Sequence, residues 1–427
     1  MAIHTSKLRL CLAGCVVALA SCGGSDDQEP AVVIDAGTPN TVSRWDEAAV
    51  ATINQPNAPT GTPEEVQSVY AVDLATVHVA MYDAAVAIEG QYRPLYVTPS
   101  SATTGASVDV AIAAAAYGVL KGLFPTRAAS YQAAYDAQLA SVPDDMARQR
   151  GIDVGAEVAA GVLAARANDG RATPLATFAA GTGPGEFRGP AIVGRSYPFI
   201  RPFLLSSASQ FRPAQTPALT SAAYAADYNE TRSLGGSTST ARTQDQAAIA
   251  TFHTETPFTF WPKNLRPFTM GKRDLVEQAR LGAVLWVTHA DATIACFEAK
   301  YHFLAWRPFS AINAGDSDGN DATVADPDWK PFLPTPPHPE YPAAHACVGG
   351  AAAEAMRLYF GTQKVGYDFT SSANASSHHY DGTDDLVADI TVARIAGGMH
   401  FRSSINDGVV LGTSVSNWAM SHAFQAR

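Results

Sequence analysis

The chain has 427 residues, of which 47% are hydrophobic and 16% are charged. This composition is typical of a globular protein, and the length exceeds the roughly 250–300 residues at which single cores stop growing, so we expect two packed units. Lys and Arg total 29 against 40 Asp and Glu. This acidic balance excludes a general nucleic-acid-binding surface.

The N-terminus has the features of an export signal. Lys7 and Arg9 precede an apolar run that is too short to span a membrane as a helix. The run ends in Leu-Ala-Ser-Cys, which resembles the lipobox of bacterial lipoproteins and marks Cys22 as the lipidated residue. We therefore predict a lipoprotein signal peptide over 1–22, a flexible tether over 23–45, and an exported protein that a lipid anchors to a bacterial membrane surface, in the periplasm or at the outer membrane. An ordinary signal peptide with an incidental cysteine is the alternative.

The remaining sequence predicts an all-α helical bundle. Apolar residues recur at helical spacing, whereas period-two alternation and hairpin signals are scarce. The predicted helices cover 66–88, 108–123, 128–141, 144–167, 243–254, 272–309, 344–360, 385–400 and 407–424. Gly, Pro, Ser and Thr around scattered aromatic residues predict a long irregular connection, ordered by packing. We expect an N-terminal helical region over 46–190, a connection over 191–240, and a C-terminal catalytic four-helix-type bundle over 241–427 on which the N-terminal layer packs.

Lys300 and Arg307 form the first candidate site segment. They are seven residues apart in the predicted helix 272–309, so both side chains leave on one face and could clamp an anion. Cys296, Phe297 and Trp306 make the surroundings apolar, and buried cations need a partner. A solvated helix face is the structural alternative.

The second segment ends in Pro342-Ala343-Ala344-His345 after a run of prolines. Pro342 suits the first position of a helix, so the N–H groups of the next three residues would form an anion cradle at the helix N-terminus. His345 would stand at the rim, able to give or take a proton. A histidine that only caps the helix is the alternative.

The third segment runs from Arg394 to His400. A spacing of six does not place both side chains on one face of a straight helix. Gly397 and Gly398 allow the chain to bend or a ligand to approach closely.

In sequence order, the three segments resemble the signature shared by vanadium-dependent haloperoxidases and type 2 phosphatidic acid phosphatases, which is K-x6-R-P, P-S-G-H and S-R-x5-H. The resemblance implies that Lys300, Arg307 and Arg394 bind the equatorial oxygens of a vanadate cofactor. It also implies that His400 is the axial ligand of the vanadium and that His345 is the acid–base residue.

Three alanines depart from that signature. Ala343 replaces the motif serine and Ala344 replaces the motif glycine of the oxyanion loop, and Ala393 replaces the serine before Arg394. The lost hydroxyl removes one hydrogen bond to a charged oxygen, worth roughly 1.5–3 kcal/mol. We expect a weakened site that still binds its anion.

The family resemblance implies an oxidoreductase, a peroxidase that converts halide and hydrogen peroxide to hypohalous acid, which then reacts with small organic acceptors. Phosphate has the shape of vanadate, so it would compete for the site. Chain length, the long N-terminal helical half and the lack of membrane helices typical of lipid phosphatases favour this function over an acid phosphatase that uses His400 as a phosphohistidine. A degenerate, non-enzymatic surface lipoprotein is the third alternative.

His338 and Phe297 predict the halide. In the resembling family the position seven residues before the acid–base histidine is Phe in chloroperoxidases and His in bromo- and iodoperoxidases, and this chain has His338 there. An imidazole can hydrogen-bond reacting oxygens or hold an anion, whereas a phenyl ring makes a drier pocket. With Phe297 as the opposite wall, we predict bromide or iodide as the substrate.

Two further features leave alternatives open. Cys296 and Cys347 could pair in an exported protein, although the direction of Cys347 also allows two buried thiols. The segment 378–381 is interpreted as a surface loop rather than a divalent-metal site. Asp381, Asp384 or Asp385 could instead orient Arg394 or a histidine.

Overall fold

The computed structural model describes residues 31–34, 37–53, 63–190, 193–271 and 273–427. Helices dominate this part of the chain, which confirms the predicted all-α bundle. The predicted signal peptide, with Cys22, lies outside the described residues.

Thirteen α-helices follow one another in the described part of the chain. They are α1 (Thr41–Ile53), α2 (Pro63–Glu89), α3 (Val108–Leu123), α4 (Ala128–Ala140), α5 (Met146–Arg166), α6 (Ala222–Gly235), α7 (Gln244–Phe252), α8 (Pro257–Leu265), α9 (Leu275–Phe303), α10 (Pro308–Asn313), α11 (Ala344–Phe360), α12 (Thr383–Ala396) and α13 (Arg402–His422). A small sheet has the order β1 (Val32–Val33), β2 (Val365–Ser371), β3 (Ser376–Tyr380). The pair β1–β2 is parallel with Val32 opposite Val365, and the pair β2–β3 is antiparallel with Tyr367 opposite Tyr380.

The long helices α2 and α9 form the centre of the core and pack on each other. Every side chain of α2 from Tyr70 to Val86 is buried. The stretch Val69–Glu89 is long and apolar enough to cross a membrane, but 89% of its most apolar window is buried inside the protein. A helix that is apolar all round can also be the core helix of a large protein, and α2 occupies that position here.

Buried carboxylates on these two helices hold the irregular segments in place. Asp83 on α2 accepts hydrogen bonds from the backbone N–H groups of residues 95–97. Asp291 on α9 does the same for residues 203–205. Loops without regular structure are thus ordered by specific contacts with the helical core.

Helices α11 and α13 approach each other closely, and this contact positions the start of α11. A Cβ atom at Gly412 would lie 2.0 Å from the carbonyl oxygen of Cys347, and one at Gly408 would lie 2.8 Å from that of Ala343. Only glycine allows this approach. The backbone N–H of Ala343 also donates to the carbonyl of Ser404 at 3.0 Å.

Several elements differ from the sequence prediction. The predicted irregular connection 191–240 contains α6, and neither α8 nor the β2–β3 hairpin was predicted. The segment 378–381, interpreted as a loop, begins in strand β3. The expected flexible tether 23–45 overlaps β1 and the start of α1, where Val42 and Trp45 are buried. This part of the expected tether is ordered because β1 pairs with β2 and the buried side chains of α1 pack in the core.

Candidate active site

Lys300 lies in the last turn of α9 with a fully buried side chain. Its ammonium group donates to the carbonyl oxygens of Pro339 and Glu340, each at 2.9 Å. An ammonium group has three donors, so one N–H of Lys300 is left for a further acceptor. The first and second predicted segments are therefore in direct contact.

Arg307 connects all three segments. Its guanidinium donates to the carbonyl of His338 at 2.9 Å and to that of Met399 at 2.9 Å. It also lies 3.0 Å from Nε2 of His400 and 3.0 Å from Nδ1 of His338. The side chain is 2% exposed.

The prediction that one helix carries Lys300 and Arg307 is wrong. Helix α9 ends at Phe303, and Leu304 adopts a left-handed conformation with φ 50°. The chain then turns so that Arg307 lies at the N-cap of α10, beside the proline-rich segment. The two cations meet because of this turn and not because of helical spacing.

Helix α11 offers the predicted anion cradle with a shift of one residue. It begins at Ala344, with Ala343 at the N-cap and Pro342 before it, and Ala343 makes no side-chain cap hydrogen bond. The N–H of Ala343 is used by Ser404, so the N–H groups of residues 344–346 form the free first turn. Such groups attract anions because they lack helical acceptors and carry the positive end of the dipole.

His400 follows the bend predicted from the glycine pair. Gly398 has φ 76°, and a Cβ atom there would lie 2.4 Å from the carbonyl oxygen of Gly235, so both conformation and packing require glycine. The bend brings His400 to Glu340, whose Oε1 is 2.8 Å from Nδ1 of His400. The same oxygen accepts from the backbone N–H of Phe401 at 3.0 Å.

Glu340 is the functional residue that the sequence reasoning missed. It lies between the prolines of the second segment, is 2% exposed, and orients His400. Of the three aspartates that could orient Arg394 or a histidine, Asp385 instead accepts from the N–H groups of Asp381 and Gly382 at the start of α12. Asp381 lies 3.4 Å from Nε2 of His379, which is outside the oxyanion site. The sequence signal that could have indicated Glu340 is a carboxylate within a proline-rich segment that ends at the site.

Arg394 completes the set of buried cations. Its side chain is 1% exposed, one Nη lies 2.9 Å from Sδ of Met399, and Nε has no hydrogen-bond partner among the described residues. A buried donor without an acceptor is costly, so the position favours an additional anionic group.

The site contains three buried basic side chains, Lys300, Arg307 and Arg394, and one buried carboxyl group, that of Glu340. Burial, reinforced by Arg307, lowers the pKa of Lys300 well below its ordinary value. Burial lowers the pKa of Arg307 to about 10, and burial together with Arg307 lowers the pKa of Arg394 to about 9. Burial raises the pKa of Glu340, the carboxylate that faces them. A bound oxyanion would offset the desolvation of Lys300, Arg307 and Arg394. The three side chains, with the unpartnered Nε of Arg394, therefore fit a vanadate or phosphate ligand.

The histidines of the site are neutral. Burial and then Arg307 lower the pKa of His400 well below its usual range, and burial and then Arg394 do so for His345. The guanidinium of Arg307 can only donate, so Nε2 of His400 carries a lone pair and its Nδ1–H points to Glu340. A lone pair at Nε2 is what a metal ligand requires.

A disulfide joins Cys296 on α9 to Cys347 on α11, which settles the open alternative. Cys296 lies one turn before Lys300, and Cys347 lies two residues after His345. The bond therefore ties together the two helices that carry the first and second segments.

The imidazoles of His378 and His379 lie within hydrogen-bond distance of protein carboxylates. Nδ1 of His378 is 2.9 Å from Asp389, and Nδ1 of His379 is 2.8 Å from Asp368. No group of three or more potential ligands for a metal ion occurs among the described residues.

A cavity of about 340 Å³ opens beside the predicted site. The predicted residues that line it are His338, Phe297, Ala344, His345 and Arg394. The rings of Phe297 and His338 are 5.3 Å apart between centroids, so the predicted halide-pocket pair is in contact. Arg307 and His400 do not line the cavity, but Arg307 contacts both His338 in the cavity wall and His400. Lys300 is connected to the same wall through the carbonyl oxygen of Pro339, the residue after His338.

Solved structures of the same architecture place this bundle in a known class. The first bacterial vanadium-dependent iodoperoxidase superimposes with a TM-score of 0.70 at 21% identity, covering 91% of this chain and 99% of that one. The holo-type bacterial vanadium-dependent chloroperoxidase gives a TM-score of 0.70 at 15% identity, covering 91% and 98%. The chain thus has the helical-bundle fold of vanadium haloperoxidases.

Sequence comparisons point to the same family. Residues 280–427 match the family model of the VCPO second helical-bundle domain. Vanadium chloroperoxidase of Curvularia inaequalis is 34% identical over 94 residues, which cover 19% of this chain and only 14% of that protein. The matched range 280–427 contains all three candidate site segments.

Proposed function

We propose that the protein is a vanadate-dependent haloperoxidase that oxidises bromide or iodide with hydrogen peroxide to hypohalous acid. The observation that carries the proposal is the convergence of three buried cations and two neutral histidines on one helix N-terminus. When bound, vanadate would supply Lewis acidity toward hydrogen peroxide without a change in oxidation state. The resemblance of the motifs and the fold supports the same cofactor.

The cations have a binding role and a catalytic role in this proposal. Lys300, Arg307 and Arg394 hold the oxygens of the oxyanion, together with the N–H groups of residues 344–346. The free N–H of Lys300 would donate to a bound oxygen and stabilise the negative charge that develops there. Because the site is buried, each of these charges acts in a low effective dielectric.

The histidines have separate tasks. His400 would hold the vanadium through Nε2 once an oxyanion replaces its contact with Arg307, and Glu340 holds its Nδ1–H. His345 lies in the first turn of α11 and lines the cavity, where its neutral imidazole accepts a proton from incoming hydrogen peroxide.

His338 determines the halide in this proposal. Nδ1 lies 3.0 Å from the guanidinium of Arg307 and 3.1 Å from the carbonyl oxygen of Pro339. Either ring nitrogen of this neutral imidazole can carry the proton, and the N–H could donate to a halide or to a reacting oxygen. Such a polar wall favours bromide or iodide over chloride, which needs a drier pocket to lose its hydration.

The experiment that tests the proposal compares three activities of the purified protein: bromide oxidation with vanadate, bromide oxidation without it, and hydrolysis of a phosphate ester without it. We expect peroxide-dependent oxidation only with vanadate, and inhibition by phosphate. Hydrolysis without halide oxidation would instead establish a phosphatase that uses His400 as nucleophile. The absence of both activities would establish a non-enzymatic protein.

The location of the protein is part of the proposal. Cys22 in the lipobox-like sequence supports export and a lipid anchor on a bacterial membrane surface. Cys22→Ala should move the protein from the membrane fraction to the soluble or unprocessed fraction. An unchanged membrane fraction would contradict the anchor.

A further inference from the structure

Met399 lies between the oxyanion site and the cavity beside it. Its backbone belongs to the site, because its carbonyl oxygen accepts from Arg307 at 2.9 Å and the next residue is His400. Its side chain lines the cavity, which has a volume of about 340 Å³, and the residue is only 2% exposed. A small molecule inside the cavity therefore reaches a side chain that is almost closed to bulk solvent.

The sulfur of Met399 contacts one of the three site cations. A guanidinium Nη of Arg394 donates to Sδ of Met399 at 2.9 Å, and Nε of Arg394 has no hydrogen-bond partner among the described residues. A thioether is only a weak acceptor. Arg394 therefore keeps most of its capacity to donate to a bound oxyanion as long as the sulfur of Met399 stays reduced.

Met399 differs from the other methionines in its surroundings. Aromatic rings and prolines form much of the wall of this aromatic cavity, and Met399 is the only sulfur-containing residue among the described residues that line it. Met146 at the start of α5 is 67% exposed, whereas Met356 on α11 is fully buried and does not line the cavity. A reagent in bulk solution meets Met146 first, whereas a reagent that forms at the oxyanion site meets Met399 first.

We propose that Met399 is a modification site, at which an oxidant formed by the protein itself weakens the oxyanion site. The oxidant is hypohalous acid, and the thioether of Met399 becomes a sulfoxide. The sulfoxide oxygen then accepts from Arg394 and competes with the bound oxyanion. The source of the oxidant rests on the proposed haloperoxidase function, whereas the effect of the sulfoxide on oxyanion binding does not.

The oxidation balances with hypobromous acid as the oxidant. A lone pair of the sulfur attacks bromine, and the bond between bromine and oxygen breaks, which releases hydroxide. Water then adds to the positively charged sulfur, bromide leaves, and two protons are released, one of which neutralises the hydroxide. The sulfur is oxidised, bromine is reduced to bromide, and the net products are the sulfoxide, bromide and one proton. Hydrogen peroxide gives the same sulfoxide with water as the other product.

The sulfoxide changes the acceptor that Arg394 meets. A polar sulfoxide oxygen takes the place of a soft, apolar thioether. It is attached to the atom that already lies 2.9 Å from an Nη of Arg394, so the guanidinium can donate to it at the expense of the oxyanion. One hydrogen bond to a charged group corresponds to roughly ten- to a hundredfold in affinity. We therefore expect oxidation of Met399 to weaken oxyanion binding by this factor.

The first experiment measures oxyanion binding without turnover. The purified protein is treated with hydrogen peroxide in the absence of vanadate and halide, peptide mass spectrometry follows each methionine, and calorimetry measures phosphate binding. We expect a sulfoxide at Met399 and phosphate binding that is roughly ten- to a hundredfold weaker. A Met399 that stays reduced while Met146 is oxidised, or an oxidised Met399 with unchanged phosphate affinity, would overturn the proposal.

Met399→Leu is the matched variant for this experiment. Leucine has a similar volume and no sulfur, and all other methionines remain in place. Peroxide treatment should leave the phosphate affinity of Met399→Leu unchanged relative to the untreated variant. An equal loss in the wild type and in Met399→Leu would show that another oxidised residue weakens binding, which would overturn the role of Met399.

Met399→Gln tests the same effect without an oxidant. Its side-chain carbonyl places a strong acceptor close to the position of the sulfoxide oxygen, so phosphate binding should be weaker than in the wild type. Met146→Gln is the control for the substitution itself, because Met146 does not line the cavity. Equal phosphate affinity of the two variants would contradict the competition for Arg394. Thermal unfolding of both variants checks that they fold.

The second experiment identifies the oxidant during turnover. The reaction contains vanadate, hydrogen peroxide, bromide, and free methionine that consumes hypobromous acid outside the protein. We expect bromide to accelerate the oxidation of Met399, which precedes that of Met146, whereas hypobromous acid added from outside without free methionine oxidises Met146 first. Oxidation of Met146 first during turnover, or a Met399 oxidation rate that does not respond to bromide, would overturn hypohalous acid as the oxidant.

The rate of the same reaction separates this inference from the proposed function. Relative to its own initial value, the rate of bromide oxidation should fall faster in the wild type than in Met399→Leu, and excess vanadate should slow the loss. Equal decay in the two proteins would overturn the effect of Met399 on activity. Weaker phosphate binding after peroxide treatment, without any bromide oxidation, would support the modification site and overturn the haloperoxidase proposal.

Discussion

Restoring the hydroxyl at position 343 tests how the second segment approaches the oxyanion. Ala343 is fully buried at the N-cap of α11 and makes no side-chain cap hydrogen bond. In Ala343→Ser, the new hydroxyl can donate to a charged oxygen held at the N–H groups of residues 344–346. One such hydrogen bond is worth roughly 1.5–3 kcal/mol, which corresponds to about ten- to a hundredfold in affinity.

The same hydroxyl has a competing role in the free protein. A serine at the N-cap can accept from the N–H of the second or third helical residue, His345 or Ala346, and this stabilises a helix by roughly 0.5–2 kcal/mol. Capping raises the free energy of unfolding without any ligand. Donation to the oxyanion raises it only when the ligand is present, by about 1.4 kcal/mol for each tenfold gain in affinity at saturation.

Calorimetric titration with vanadate, together with unfolding in urea with and without vanadate, distinguishes the two roles. Ala355→Ser is the matched control, because it adds a hydroxyl at a fully buried alanine of the same helix, three turns away from the site. We expect tighter vanadate binding for Ala343→Ser and unchanged binding for Ala355→Ser. Unchanged or weaker affinity of Ala343→Ser would refute the placement of this loop against the anion.

Three further variants test other parts of the site. His338→Ala should slow bromide oxidation, because the polar wall of the halide pocket is lost; an unaltered bromide rate, or efficient chloride oxidation by the wild type, would contradict this assignment. Glu340→Gln should weaken vanadate binding roughly ten- to a hundredfold in calorimetry, since His400 loses its charged acceptor; equal affinity would show that Glu340 has no orienting role. The double variant Cys296→Ala, Cys347→Ala opens a cross-link between residues 51 apart and should lower the free energy of unfolding in urea by about 4 kcal/mol; an unchanged value would show that the disulfide does not constrain the unfolded chain.

The local pattern of the sequence predicts the helices well where apolar spacing and capping agree. The bounds 108–123 and 344–360 coincide with α3 and α11, and Ser107 caps α3 through its side chain. The end of α9 could not be predicted in the same way. Leu304 has no preference for the left-handed conformation that it adopts, so the tertiary contacts of the turn determine it.

Strand β2 had a signal in the sequence, whereas the pairing of site residues depends on tertiary structure. Val365, Tyr367 and Phe369 alternate with more exposed residues along β2, and this period-two pattern is a strand signal that the helical surroundings concealed. The set of candidate site residues came from the resemblance of the three segments to a family signature. The pairing of Glu340 with His400 did not, because it depends on the bend at Gly398 and on the path of the prolines. The aromatic cavity likewise depends on residues from several distant segments.

The most direct test of the central claim is the rate of bromide oxidation by hydrogen peroxide as vanadate is titrated into the purified protein. The account predicts no oxidation at first, a rate that rises to saturation with one vanadate per chain, and a shift of this curve to higher vanadate when phosphate is added. A rate that does not respond to vanadate, or the absence of oxidation at saturating vanadate while calorimetry shows it bound, would contradict the claim.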